Sequence, residues 1–159
     1  MTTQTNDTAV RTEVTVNASQ ERAFHVFTDE MASWWNPEHH ILAAELKEMR
    51  LEPHPGGRIY DVGVDGSECT WARVLAYEPP ERFVFSWDIS LQWQIETDPD
   101  RTSEIEVTFT PEGDQSTRVT LEHRHLDRHG EGWEGMRGAV GSDGGRPSGL
   151  RRFAEYVER

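Results

Sequence analysis

Between Cys69 and Ile89 two runs of alternating residues flank Glu78-Pro79-Pro80-Glu81. Proline has a fixed φ and no amide hydrogen, so neither run continues through the pair as regular ladder. The stretch therefore predicts two strands joined by a longer hairpin loop. Alternate residues of a strand share a face. The first run groups Trp71, Arg73 and Leu75; the second groups Phe83, Phe85, Trp87 and Ile89. An aromatic face with one embedded arginine is either a core layer or the wall of a cavity, and the functional question turns on which.

A chain of 159 residues fits one domain with a real core. Residues 1–8 are small and polar and read as a frayed tail, leaving 9–159 as the single domain. Sixteen basic against 29 acidic residues give a net charge of −13, which argues against tracking a phosphate backbone and so against nucleic acid. Only 35% of residues are hydrophobic, yet six are tryptophan, so large aromatics carry much of the buried area. The lone Cys69 forms no internal disulfide, has no activating neighbour in sequence and reads as inert. There is neither a signal-peptide pattern nor a run of 18 apolar residues, so no membrane insertion is expected and a cytoplasmic setting is the default.

Val10, Thr12, Val14 and Val16 alternate with polar residues, a half-buried strand. Asn17-Ala18-Ser19 offers capping side chains for a short helix over Gln20–Thr28, with Ala23, Phe24 and Phe27 on one side. Asp29 is expected to cap a second short helix through Met31, Trp34 and Trp35, ended by Asn36-Pro37. Helix propensity favours a helix over Ala43–Arg50. The Pro55-Gly56-Gly57 turn and the alternating run Arg58–Val64 favour a strand hairpin instead, and strand is the reading adopted.

Leu91–Arg101 reads as a loop, Glu104–Phe109 as a strand, Pro111–Asp114 as a turn and Arg118–His125 as a long final strand. Glycine-rich residues 130–149 are expected to be partly helical. Leu150, Phe153, Ala154 and Val157 mark an amphipathic C-terminal helix. Helices at the ends and about six antiparallel strands between them define an α+β chain.

The order of several short pieces resembles the START/Bet v 1-like (SRPBCC) superfamily, and within it the family related to the C-terminal domain of the Hsp90 ATPase activator. The pieces are Ser19-Gln20-Glu21-Arg22-Ala23-Phe24, Trp34-Trp35, Pro55-Gly56-Gly57-Arg58, Val74 through Trp87, Val119-Thr120-Leu121-Glu122-His123 and Gly132-Trp133. The resemblance implies a helix-grip fold: a curved antiparallel sheet of six to seven strands around a long C-terminal helix, with two short helices after the first strand and a cavity between sheet and helix. It also implies a small hydrophobic or aromatic ligand, and in some members cyclisation or hydrolysis of polyketide-like molecules. The co-chaperone's companion N-terminal domain is not expected here, which turns the reading away from chaperone regulation. No cofactor is implied, and a homodimer is left open.

His123 and His125 are expected to share a strand face with Val119 and Leu121, with His129 four residues on. Two imidazoles on one face suit a metal, but no Cys, Asp or Glu ligand is fixed by a motif, and no metal is assigned. In a catalytic cavity His123 is the first choice for general acid or base, because imidazole titrates near neutrality. A buried Arg73 needs an anionic ligand or an acid such as Glu122. Trp35, Tyr60, Trp71, Phe85, Trp87, Trp93 and Phe109, with Arg73, His123 and His125, are the expected ligand contacts. The leading reading is a ligand binder; the alternatives are a cyclase or hydrolase using the same cavity and an Hsp90-activator-like interaction module.

Overall fold

The computed structural model describes residues 8–35, 44–142 and 145–158. Strand β1 (Val10–Val16) leads to helix α1 (Gln20–Asp29), whose first turn is closed by the Ser19 hydroxyl accepting from the Arg22 amide at 3.2 Å. Helix α2 (Met31–Trp34) follows at once. Its N-cap is Glu30, with no side-chain bond, and not Asp29, which still belongs to α1. Trp35 is already extended; the expected Asn36-Pro37 stop lies outside the described residues.

The middle of the chain is all strand: β2 (Leu46–Leu51), β3 (Arg58–Gly63), β4 (Glu68–Glu78), β5 (Arg82–Trp87), β6 (Ser103–Gly113) and β7 (Ser116–Arg124). They form one antiparallel sheet in the order β1-β7-β6-β5-β4-β3-β2. The helix propensity around Glu45–Arg50 is overridden because β2 pairs with β3 as a hairpin. The turn expected at Pro111–Asp114 falls later, between Gly113 and Ser116. The β5 ladder ends at Thr108, so the missing amide hydrogen of Pro111 has no β5 partner to satisfy and β6 continues through it.

Helices α3 (Trp133–Gly141) and α4 (Arg146–Val157) close the chain. Between them Gly145 lies so close to Val140 O that a side chain would collide with backbone. Helix α4 begins four residues before the first periodic leucine, with Pro147 in its first turn, a position proline tolerates. The concave face of the sheet presents Phe83, Phe85, Ile105, Val107, Phe109, Val119 and Leu121 to Phe24 and Phe27 of α1 and to Leu150, Phe153 and Val157 of α4. This curled seven-stranded sheet around the C-terminal helix is the helix-grip architecture. No helix among the described residues is long and apolar enough to cross a membrane.

In β4 the expected face of Trp71, Arg73 and Leu75 is broken. A bulge against β3 leaves Trp71 as an extra residue between Thr70 and Ala72, so Val74 and not Arg73 shares the inner face with it. A second bulge against β5 leaves Leu75 as an extra residue that is 38% exposed. On the convex face Arg124 bridges Glu104, Glu106 and Glu122, gathering part of the acidic surface into an ion-pair network.

Candidate functional site

Pairing register builds a polar row at one end of the concave face. Trp87 stands opposite Ser103 across β5 and β6, and Ile105 stands opposite His123 across β6 and β7. Strand alternation puts Trp87, Ser103 and His123 on the face shared with Phe85, Ile105 and Leu121. A one-turn 3-10 helix over Leu126–His129 then delivers His129, and the first residue of α4 delivers Arg146. All five residues are buried. Ser103 Oγ lies 2.7 Å from His123 Nε2 and 2.7 Å from His129 Nε2, and Arg146 Nε donates to His123 Nδ1 at 3.3 Å.

The donor inventory fixes the protons. A guanidinium only donates, so His123 Nδ1 is a bare acceptor and its proton sits on Nε2, pointing at Ser103. Ser103 accepts that proton's hydrogen bond and gives its own hydroxyl hydrogen to His129 Nε2. Burial, then the neighbouring Arg146 charge, hold the His123 imidazole well below the ordinary 6.5. Burial also lowers His129. Both rings are therefore neutral at pH 7.

Because the unfolded histidines take up protons near 6.5 and the folded ones only at lower pH, the unfolded state binds more protons as the medium is acidified. Stability is full above that value and falls as pH drops below it, by up to about 1.4 kcal/mol per pH unit for each histidine. Urea unfolding at pH 7.5, 6 and 5 checks this. The wild type loses stability steeply on acidification, His123→Gln loses it with a shallower slope, and equal slopes would rule out His123 as a source.

Beside the polar row stands an aromatic wall. Trp35 stacks on Trp71 with centroids 5.2 Å apart and planes 26° apart, and Trp71 meets Trp87 edge-on at 5.9 Å. Trp71 Nε1 donates to the buried Asp61 at 3.3 Å. The Arg146 guanidinium carbon lies 4.2 Å from the Trp87 ring centre and 5.9 Å from that of Trp35. Three buried polar atoms in this one cluster, Trp87 Nε1, His129 Nδ1 and Arg146 Nη2, find no hydrogen-bond partner among the described residues.

Of the expected contacts, Trp35, Trp71, Trp87 and His123 are thus brought together, with Phe85 edge-on to Trp71 at 6.3 Å. The others are placed elsewhere. Arg73 pairs with Asp88 through two bonds of 3.0 and 3.1 Å and with the Thr102 hydroxyl at 3.1 Å. Its acid is Asp88 and not Glu122, and by alternation Asp88 stands on the face opposite Trp87. Tyr60 alternates with the inward Ile59 and Asp61 and lies under the Arg58 guanidinium at 4.2 Å. Phe109 packs on Phe24 and Phe27 at 5.2 and 5.7 Å. Trp93 is 47% exposed in its loop. His125 adopts a left-handed backbone just past β7, so the strand-face pairing of His123 with His125 does not form. His123 is linked to His129 instead, through Ser103.

Sequence reasoning missed Ser103 and Arg146. Extending the Ile105, Val107, Phe109 alternation back by one step puts Ser103 on the inner face. Gly145 before Arg146-Pro147 is a helix-start signal that places Arg146 at the head of α4.

The sequence matches the family described as Activator of Hsp90 ATPase homolog 1-like protein over residues 17–158. No curated protein matches it. Among solved structures it is similar to the anthrahydroquino-gamma-pyrone synthase Txn09 complexed with SUM, at 42% identity over 92% of this chain and 95% of that one, with a TM-score of 0.65. It is also similar to CalC, a self-sacrificing resistance protein from Micromonospora echinospora, at 31% identity over 95% and 94% of the two chains, TM-score 0.66. Ms6760 from Mycobacterium smegmatis shares the fold at 20% identity over 95% and 91%, TM-score 0.64.

Proposed function

Because the chain belongs to the family of Activator of Hsp90 ATPase homolog 1-like proteins, we propose that it binds a small planar aromatic molecule between the concave face of its sheet and helix α4. The observation that carries this reading is the Trp35–Trp71 stack with Trp87 beside it, at the end of the sheet where the polar row lies. Flat rings prefer offset or edge contacts with other rings, and binding sites combine such walls with a few placed polar groups. Support comes also from Txn09, a relative at 42% identity whose structure holds SUM. Phe109, Tyr60 and Arg73 take no part, since their contacts are satisfied elsewhere.

Tryptophan fluorescence is the test. Titration with anthraquinone-2-carboxylate quenches the wild type with saturation, and Trp71→Leu weakens binding at least about tenfold by removing the stacking surface. An unsaturable response equal in both proteins would sink the proposal.

A catalytic second reading rests on one arrangement, the Ser103 hydroxyl held at 2.7 Å from two imidazoles. Such a line holds and moves a proton, with His123 and His129 as acid and base. Turnover of a bound polyketide-type arene that disappears in His129→Ala while binding persists selects this reading.

A further inference from the structure

Arg146 stands apart from the other arginines. Arg11, Arg73, Arg82 and Arg124 each reach a carboxylate from more exposed positions. Arg146 is 8% exposed, and no carboxylate among the described residues reaches it. Its surroundings add positive charge. It is the first residue of α4, whose opening turn holds no acid and whose N-cap, Gly145, supplies no side-chain acceptor. The helix end is therefore uncompensated and of the same sign as the guanidinium.

What the fold offers in return is partial. The Trp87 ring faces the cation at 4.2 Å, and His123 Nδ1 accepts from Nε. Among the described residues Nη2 has no acceptor, and neither has the Nε1–H of the same Trp87. The cluster thus has surplus donors and surplus positive charge, in a protein whose net charge is −13. A cation is repelled there, and a neutral arene leaves both donors unmet, which is costly when they are buried. An anionic oxygen meets them.

We propose that Arg146 is an anion subsite, and that the ligand is an aromatic acid whose carboxylate, phenolate or enolate oxygen docks on Arg146 Nη2 while its ring lies against Trp35 and Trp71. This rests on the ligand-binding reading above and adds a charge requirement to it.

Matched probes test it: 2-naphthoate and the neutral 2-acetylnaphthalene, titrated at pH 7.5 into wild type, Arg146→Met and Arg146→Lys by tryptophan fluorescence and calorimetry. The wild type binds naphthoate at least about tenfold tighter than the ketone, as a charge-assisted hydrogen bond requires. Arg146→Met loses that preference yet still binds the ketone, and Arg146→Lys retains part of it. Equal affinity of the wild type for both probes overturns the anion subsite and leaves aromatic binding standing. Binding of neither probe overturns both. If Arg146→Met does not fold, the wild-type preference decides alone.

Discussion

Phe27→Ala lowers the free energy of unfolding by about 3–5 kcal/mol, the range for deleting a buried phenylalanine side chain. Phe27 is fully buried, and its ring touches four others: Trp34 at 4.8 Å, Phe153 at 5.2 Å, Phe109 at 5.7 Å and Phe83 at 6.3 Å. Those partners belong to α2, α4, β6 and β5, so this one side chain joins three helices to the sheet. The walls of the resulting hole are two laddered strands and two helices, none of which can move in without breaking hydrogen bonds, so collapse is limited. Guanidinium unfolding at pH 7.5 measures it. A loss below about 1.5 kcal/mol would mean that the site relaxes freely and that the aromatic cluster is not the centre of the fold.

Ser103→Ala has the second large effect, at the site itself. The substitution removes no bulk but strands two buried imidazole nitrogens, His123 Nε2 and His129 Nε2. Each stranded group costs about 1–3 kcal/mol, so a loss of roughly 2–6 kcal/mol is expected. The contributions are not independent. In Ser103→Ala/His129→Phe one stranded group is gone, and the double variant is more stable than the sum of the two single losses predicts. Strict additivity would show that His129 and Ser103 do not share the bond that the geometry gives them.

The fold was largely legible because alternation is a local signal. Val10–Val16, Ile105–Phe109 and Val119–His123 announce their faces residue by residue, and the two prolines at 79 and 80 announce the hairpin. The β4 bulges were not legible, because they depend on how β4 is matched to β3 and to β5, and together they put Val74 on the core face in place of Arg73 and Leu75. Trp71, Trp87 and His123 were legible as inward residues for the same local reason.

Arg73 misled, since an arginine in an aromatic strand looks inward until its partner is known, and Asp88 lies fifteen residues away past a turn. Arg146 was hidden by its setting among glycines, where helical periodicity is faint. Ser103 was hidden because serine carries no hydrophobic signal. The residues that give the site its chemistry are thus those whose significance depends on long-range neighbours, while its aromatic wall could be read directly.

The central claim is that an aromatic ligand occupies the end of the concave face, against Trp35, Trp71 and Trp87 and under the head of α4. Its most direct test is the indole region of a proton–nitrogen correlation spectrum during titration with anthraquinone-2-carboxylate. The account predicts that the Trp35, Trp71 and Trp87 indole signals shift together along one saturation curve. The Trp87 indole moves most, because its N–H has no partner among the described residues and gains one. If those three signals stay fixed while others shift, the ligand sits elsewhere and the account is wrong.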